Sequence, residues 1–147
     1  MIFNISPLSA KDYPQILLVW EASVRESHHF LTESDIQRYK AMIPDEYLSK
    51  AALFGLYPES GGLAAFIGIT GDRIEMLFVH PANFKKGIGS VLCQFAIQEL
   101  RASKVDVNED NQGAFKFYTK MGLQVTGQSD SGGDPFPVLH LRRNENE

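Results

Sequence analysis

The sequence predicts a mixed α/β domain, and three observations carry that prediction. Its apolar patterning reads, in order, as strand, two helices, three strands, helix, strand, helix, two strands. Meandering strands come first and a strand–helix–strand unit follows, the order of a mixed sheet with packed helices. No internal repeat, linker or low-complexity stretch interrupts the series.

The elements follow from local signals. Phe3-Asn4-Ile5 forms a short first strand that Pro7 ends. From Asp12, the apolar residues Ile16, Leu17, Val19, Trp20 and Val24 recur at helical spacing, so a helix spans 12–26. Thr32 with Asp35 three residues on is an N-cap signal for a second helix, which runs through Met42 and stops at Pro44. Residues 51–57 and 63–70 are apolar runs separated by Pro58-Glu59-Ser60-Gly61-Gly62, a hairpin pattern. After the turn Gly71-Asp72-Arg73, a strand covers 74–80 and Pro81 ends it.

Gly87-Ile88-Gly89 opens a helix to about Arg101, with Leu92, Phe95, Ala96 and Leu100 on one face. A short strand covers 105–107, and a helix covers 111–121 with Gly122 as its C-terminal stop. Residues 124–126 and 137–141 are two closing strands joined by a Gly-, Ser- and Asp-rich loop. Residues 1–143 form one domain, and 144–147 are a polar tail.

Composition bounds the function. The 147 residues suit one domain of roughly 100–200. Hydrophobic residues at 44% and charged residues at 22% argue for a globular chain rather than a disordered one. Fourteen Lys+Arg against eighteen Asp+Glu leave a net charge of −4, which disfavours a nucleic-acid partner. The single Cys93 excludes an intrachain disulfide framework and a cysteine-based zinc site, and a free thiol fits a reducing cytoplasm. The start of the chain lacks the basic residues of a signal peptide. The apolar run 63–69 is far short of the ~20 residues of a membrane span, so no membrane partner is expected.

Two segments could carry chemistry. In residues 76–90 a strand runs through a loop into a helix whose first turn holds Gly87 and Gly89. The first amides of a helix lack internal partners and carry partial positive charge, so they bind anions. Lys85 and Lys86 add two full charges there, which together make a local site for a diphosphate. A glycine-bearing turn with two solvated lysines is the other reading. Neither common phosphate motif fits: Ser90 follows Gly89 where Walker A needs Lys, and Leu92 stands where the dinucleotide fingerprint needs its third small residue.

In the second segment, Tyr118 follows Asn111 by seven residues, nearly two helical turns, so both side chains share a face. An amide and a phenol so placed could hold a ligand and deliver a proton. A helix cap and a core tyrosine explain the spacing equally well.

Taken together, the two segments resemble the GNAT acetyltransferase superfamily. Its cofactor motif, Arg/Gln-x-x-Gly-x-Gly/Ala, reads here as Phe84-Lys85-Lys86-Gly87-Ile88-Gly89, and Asn111, Tyr118 and Met121-Gly122-Leu123 match its second motif. Phe84 departs at the first position, where Lys85 or Lys86 can replace the missing contact. Trp20, Ser23-Val24, His28-His29-Phe30-Leu31 and the segment 135–141 resemble the small bacterial YjaB-type branch.

The resemblance implies a mostly antiparallel mixed sheet, splayed at two central parallel strands and flanked by helices on both faces. The two strands would be 74–80 and 104–107. It implies acetyl-CoA as cosubstrate without a metal. Cofactor contacts fall on Leu77, Phe78 and Val79, on Lys85, Lys86, Gly87, Ile88, Gly89 and Ser90, and on Asn111. It implies direct attack of a primary amine on the thioester, with Tyr118 as general acid. Glu75 is the first candidate for the base, with Asp106, His28 and His29 as alternatives. The acceptor is a small amine, an amino acid or a peptide, and a homodimer is a candidate assembly. An acyl-CoA-binding sensor without efficient catalysis is the competing function. Cys93, His80, Phe115 and Phe117 read as structural residues, and His140 faces either the core or the acceptor pocket.

Overall fold

The computed structural model describes residues 3–27, 31–59, 61–109, 111–129 and 138–143. They form β1 (Phe3–Leu8), α1 (Tyr13–Ser27), α2 (Glu33–Glu46), β2 (Ala52–Pro58), β3 (Ala65–Thr70), β4 (Arg73–Val79), α3 (Ile88–Glu99), β5 (Lys104–Asn108), α4 (Gln112–Lys120), β6 (Leu123–Ser129) and β7 (Val138–Arg143). The element order is the one the sequence predicts. The seven strands make one sheet in the order β1-β2-β3-β4-β5-β7-β6. Every neighbouring pair is antiparallel except β4 with β5. No helix among the described residues is long and apolar enough to cross a membrane.

Two expectations about proline are corrected. Pro7 does not end β1; it sits inside the strand opposite Phe54. β1 is the edge of the sheet, where a missing N–H costs no central ladder bond. Pro44 does not stop α2, which continues to Glu46 with the proline in its last turn. At the other end of α2 the expected cap is present. Thr32 Oγ1 accepts from the Asp35 amide at 3.1 Å, and Asp35 Oδ2 accepts from the Thr32 amide at 3.0 Å. The expected histidines 28 and 29, and the segment 135–137, lie outside the described residues.

The central strands bury both faces. Ile67 and Ile69 of β3 join Ile74, Leu92, Cys93, Ala96, Val105 and Leu123 in a core under α3 and α4. Phe66 points the opposite way and packs with Ile16, Val19, Trp20, Ile36 and Ile43 under α1 and α2. This is the two-residue alternation of a strand with helices on either side. Burial of large side chains such as Phe66 and Leu92 contributes roughly 1.5–3 kcal/mol each. The packing of two helix layers holds β4 and β5 as a fixed frame for what lies between them.

Candidate active site

β4 and β5 pair at only two positions, Arg73 with Lys104 and Ile74 with Val105. Beyond Ile74, β4 stays paired with β3 as far as Val79 opposite Ala65, while its β5 side has no ladder partner. The strand therefore offers an open backbone edge, which an extended ligand can meet as an added strand would. The opening continues into a groove of about 1050 Å³.

Leu77, Phe78 and Val79 line this groove from β4. Lys85, Gly87, Ile88, Gly89 and Ser90 line it from the loop and the start of α3. Asn111 and Tyr118 line it from α4, and Glu75 and Asp106 from the two parted strands. The fold thus brings together every described candidate residue except one. Lys86 is exposed and is not among the lining residues.

The loop before α3 has an unusual backbone. His80 Nδ1 accepts from the Ala82 amide at 3.1 Å and starts a short 3₁₀ turn over Pro81–Asn83, which fits the structural role expected of it. Phe84 is extended, then Lys85 takes φ 64° and Gly87 φ 77°. The left-handed region costs a non-glycine residue about 1–2 kcal/mol, so Lys85 holds strain that the surrounding chain must offset. Left-handed residues curl the backbone into the kind of concavity that binds anions through its amides. Gly87 also caps α3 and, having no side chain, leaves the first amides of that helix without a hydrogen bond from their N-cap residue. Uncapped amides beside the Lys85 ammonium fit a diphosphate.

On α4, Asn111 does two things. Its Oδ1 accepts from the Ala114 amide at 3.1 Å and starts the helix, and the residue also faces the groove. Tyr118 is likewise both core and wall: it is buried, packs edge-on against Phe117 at 5.0 Å, and lines the groove. Burial pushes its phenol far above the ordinary tyrosine range, and neighbouring Cys93 pushes the same way. The phenol therefore stays protonated throughout the neutral range. Cys93 is buried, and burial lifts its thiol to about 12, so it is an inert core residue.

A second cavity of about 290 Å³ lies toward α1 and α2, lined by Trp20, Val24, Leu31, Tyr39, Ile43, Tyr47, Glu75, Met76 and Phe78. Glu75, Met76 and Phe78 belong to both cavities, so β4 is their common wall. An ion-pair cluster fixes the two helices around it. Arg25 holds Glu33 through its two terminal guanidinium nitrogens at 2.7 and 2.8 Å, and Glu21 accepts from Arg25 Nε at 3.0 Å and pairs with Lys40 at 2.7 Å. The sequence reading missed this aromatic pocket. Its signal was Trp20 on α1 with Tyr39 and Ile43 one turn apart on α2, residues indistinguishable by periodicity from ordinary core.

The sequence reading also left His140 unplaced. It faces neither the core nor the aromatic pocket. Its Nδ1 lies 2.7 Å from Asp106 Oδ1, and its Nε2 lies 2.9 Å from Ser129 Oγ. Asp106 Oδ2 is also 3.7 Å from Arg73 Nη1.

Comparison with known proteins agrees with this geometry. A family model described as an acetyltransferase (GNAT) domain matches residues 20–133. Peptidyl-lysine N-acetyltransferase YjaB of Salmonella typhimurium is 31% identical over 143 residues, covering 96% of this chain and 98% of that protein. YjaB of Escherichia coli is 30% identical over 146 residues, covering 96% and 97%. The solution structure of apo-form YjaB from Escherichia coli superposes with a TM-score of 0.82 at 28% identity, over 97% of both chains. The PaiA N-acetyltransferase from Thermoplasma acidophilum, solved in complex with coenzyme A, shares the fold with a TM-score of 0.76 at 20% identity, over 98% of this chain and 100% of that one. A family match over most of the chain, with relatives about 30% identical along nearly its whole length, shows that the chain belongs to the GNAT acetyltransferases and is an acetyl-CoA-dependent N-acetyltransferase.

Proposed function

We propose that this enzyme acetylates the side-chain amine of a peptidyl lysine, with Tyr118 as proton donor and Glu75 as proton acceptor. One observation carries the reading: β4 is the shared wall of the cofactor groove and the aromatic pocket, and Glu75 is among the residues that line both. A lysine is a four-carbon apolar stem ending in an ammonium. Trp20, Tyr39, Tyr47 and Phe78 offer aromatic surface to the stem, and aromatic faces attract the cation. The names of the YjaB relatives support the same acceptor.

Acetyl-CoA supplies the activated acyl group. The uncapped amides at 88–90 and the Lys85 ammonium hold its diphosphate, and Asn111 contacts its pantetheine region. The open edge of β4 pairs with the pantetheine amides, which brings the thioester to Leu77–Val79. An amide of β4 there donates to the carbonyl oxygen as it gains charge. Glu75 takes a proton from the attacking nitrogen, directly or through one water. Tyr118 gives its proton to the departing sulfur. Burial keeps the phenol in its acid form at neutral pH, the form that can donate.

The test is mass spectrometry of two peptides incubated with enzyme and acetyl-CoA. One carries a lysine and a blocked N-terminus, and the other carries a free N-terminus and no lysine. Acetylation of the first alone supports the reading. Acetylation of the second alone overturns it, and coenzyme A binding without transfer to any amine favours the sensor.

A further inference from the structure

One hydroxyl in the groove has no work in the account so far. Ser23 of α1 is 6% exposed, and it is the only buried serine or threonine among the described residues. A hydroxyl within a helix ordinarily bonds the carbonyl one turn back. Ser27 Oγ donates in this way to the Ser23 carbonyl at 2.7 Å, and Thr119 Oγ1 to the Phe115 carbonyl at 2.7 Å. The Ser23 hydroxyl makes no such bond and has no side-chain partner among the described residues. It is not sealed in the core either, since Ser23 lines the groove. Buried polar groups are nearly always paired, so a free one facing a ligand groove points to pairing with the ligand.

Its place on α1 says which part of the ligand. Trp20 and Val24, one turn before Ser23 and one residue after it, line the aromatic pocket. Ser27, one turn further on, lines the groove. The inward face of α1 therefore passes from pocket to groove at Ser23. β4, on which α1 packs, makes the same passage: Glu75, Met76 and Phe78 line both cavities. Glu75 has this position because Gly68 pairs with Met76 and Ile69 with Ile74, which leaves Glu75 as the extra residue of a bulge. Where the two cavities meet, α1 thus offers a hydroxyl and β4 a carboxylate.

We infer that Ser23 Oγ and the Glu75 carboxylate hold the two N–H groups of the acceptor's primary amine and so aim its lone pair at the thioester. The inference rests on the amine-acetylation reading above. A neutral primary amine is tetrahedral, with two N–H bonds and one lone pair. Two acceptors that take both N–H groups leave the lone pair a single direction, and orientation of this kind is a large part of catalysis between two bound reactants. A serine hydroxyl accepts through its lone pairs and keeps its own proton.

The step balances. The lysine ammonium first gives one proton to solvent. The nitrogen lone pair then forms the N–C bond and the C–S bond breaks. The N–H held by Glu75 passes its proton to the carboxylate, and Tyr118 protonates the sulfur. The N–H held by Ser23 stays on the product as the amide N–H. Ser23 touches the substrate nitrogen and moves no proton.

The experiment sets wild type and Ser23→Ala against two peptides, one with lysine and one with Nε-methyl-lysine, whose nitrogen has lost one N–H to a methyl group. Wild type is expected to prefer lysine by tenfold or more in kcat/KM. Ser23→Ala loses about tenfold on the lysine peptide, the size of one hydrogen bond, and little on the methylated one, so its preference shrinks to about threefold or less. Coenzyme A affinity is unchanged. Melting temperature is equal to or above wild type, because the hydroxyl removed had no partner in the free enzyme. A wild-type rate in Ser23→Ala, an equal loss on both peptides, or a loss that follows a lowered melting temperature overturns the role of Ser23. Transfer to small primary amines but not to lysine peptides sinks the lysine reading alone, and the same comparison on such an amine and its N-methyl form then decides Ser23. A wild type that acetylates no amine overturns both.

Discussion

Ile74 and Val105 are the last residues at which β4 and β5 pair, and the groove begins at that point. Both are buried under α3, so the place where the strands part is fixed by core packing. A well-packed core resists even one-methylene changes, which makes this frame rigid. The ligand-facing residues are then set by strand alternation and by the first turn of α3.

Gly89 tests where the diphosphate lies. A Cβ at this position meets Val79 and Phe117 at 3.6–3.7 Å, an ordinary contact, and both neighbours line the groove. Gly89→Val is therefore expected to fold and to lose coenzyme A affinity by tenfold or more, about 1.4 kcal/mol. Calorimetry beside thermal denaturation checks it. Unchanged affinity in a folded variant moves the diphosphate elsewhere.

Phe84 tests the departure from the family motif. It lines the groove with no charge to offer, one residue before the strained Lys85. Phe84→Arg restores the guanidinium that the motif carries and is expected to tighten coenzyme A severalfold, more at low salt than at high salt. Titration at two ionic strengths reads the effect. Weaker binding at both would show that the phenyl ring itself makes the contact.

Cys93 predicts a loss of stability at alkaline pH. Its folded thiol lies at about 12 against an ordinary 9.0, so the native state holds the proton longer than the unfolded chain. Its contribution is complete below the unfolded value and is lost as pH rises toward the folded one. Tyr118 is raised in the same direction and adds to the loss at higher pH. Denaturant midpoints are expected to fall between pH 9 and 11 in wild type, and less steeply in Cys93→Ala. Parallel curves would clear Cys93 of the effect.

The parts of this protein that the sequence made legible are those written in local signals. The Thr32 cap, the glycines opening α3, Asn111 capping α4 and the left-handed Gly122 after it each act within a few residues. The prolines misled because their meaning depends on the neighbours. Pro7 ends a central strand but not an edge strand, and β1 becomes an edge only once the sheet order is known. The two readings of Asn111 and of Tyr118 were not alternatives, since each residue both builds α4 or the core and faces the groove. The Asp106–His140 contact was invisible in the chain. It joins residues 34 apart, and it exists because β7 inserts between β5 and β6.

The most direct measurement is made on Tyr118→Phe: kcat, coenzyme A affinity and melting temperature on one sample. The substitution removes one oxygen from a buried ring and keeps its packing against Phe117. With Tyr118 as the general acid, kcat falls roughly 10²–10⁴-fold while affinity and melting temperature stay close to wild type. The wild-type rate also shows no fall attributable to the phenol up to about pH 10, because burial holds its proton beyond the ordinary tyrosine range. Near-normal kcat at saturating acceptor, or a loss that tracks melting temperature, contradicts this and returns Tyr118 to the core alone.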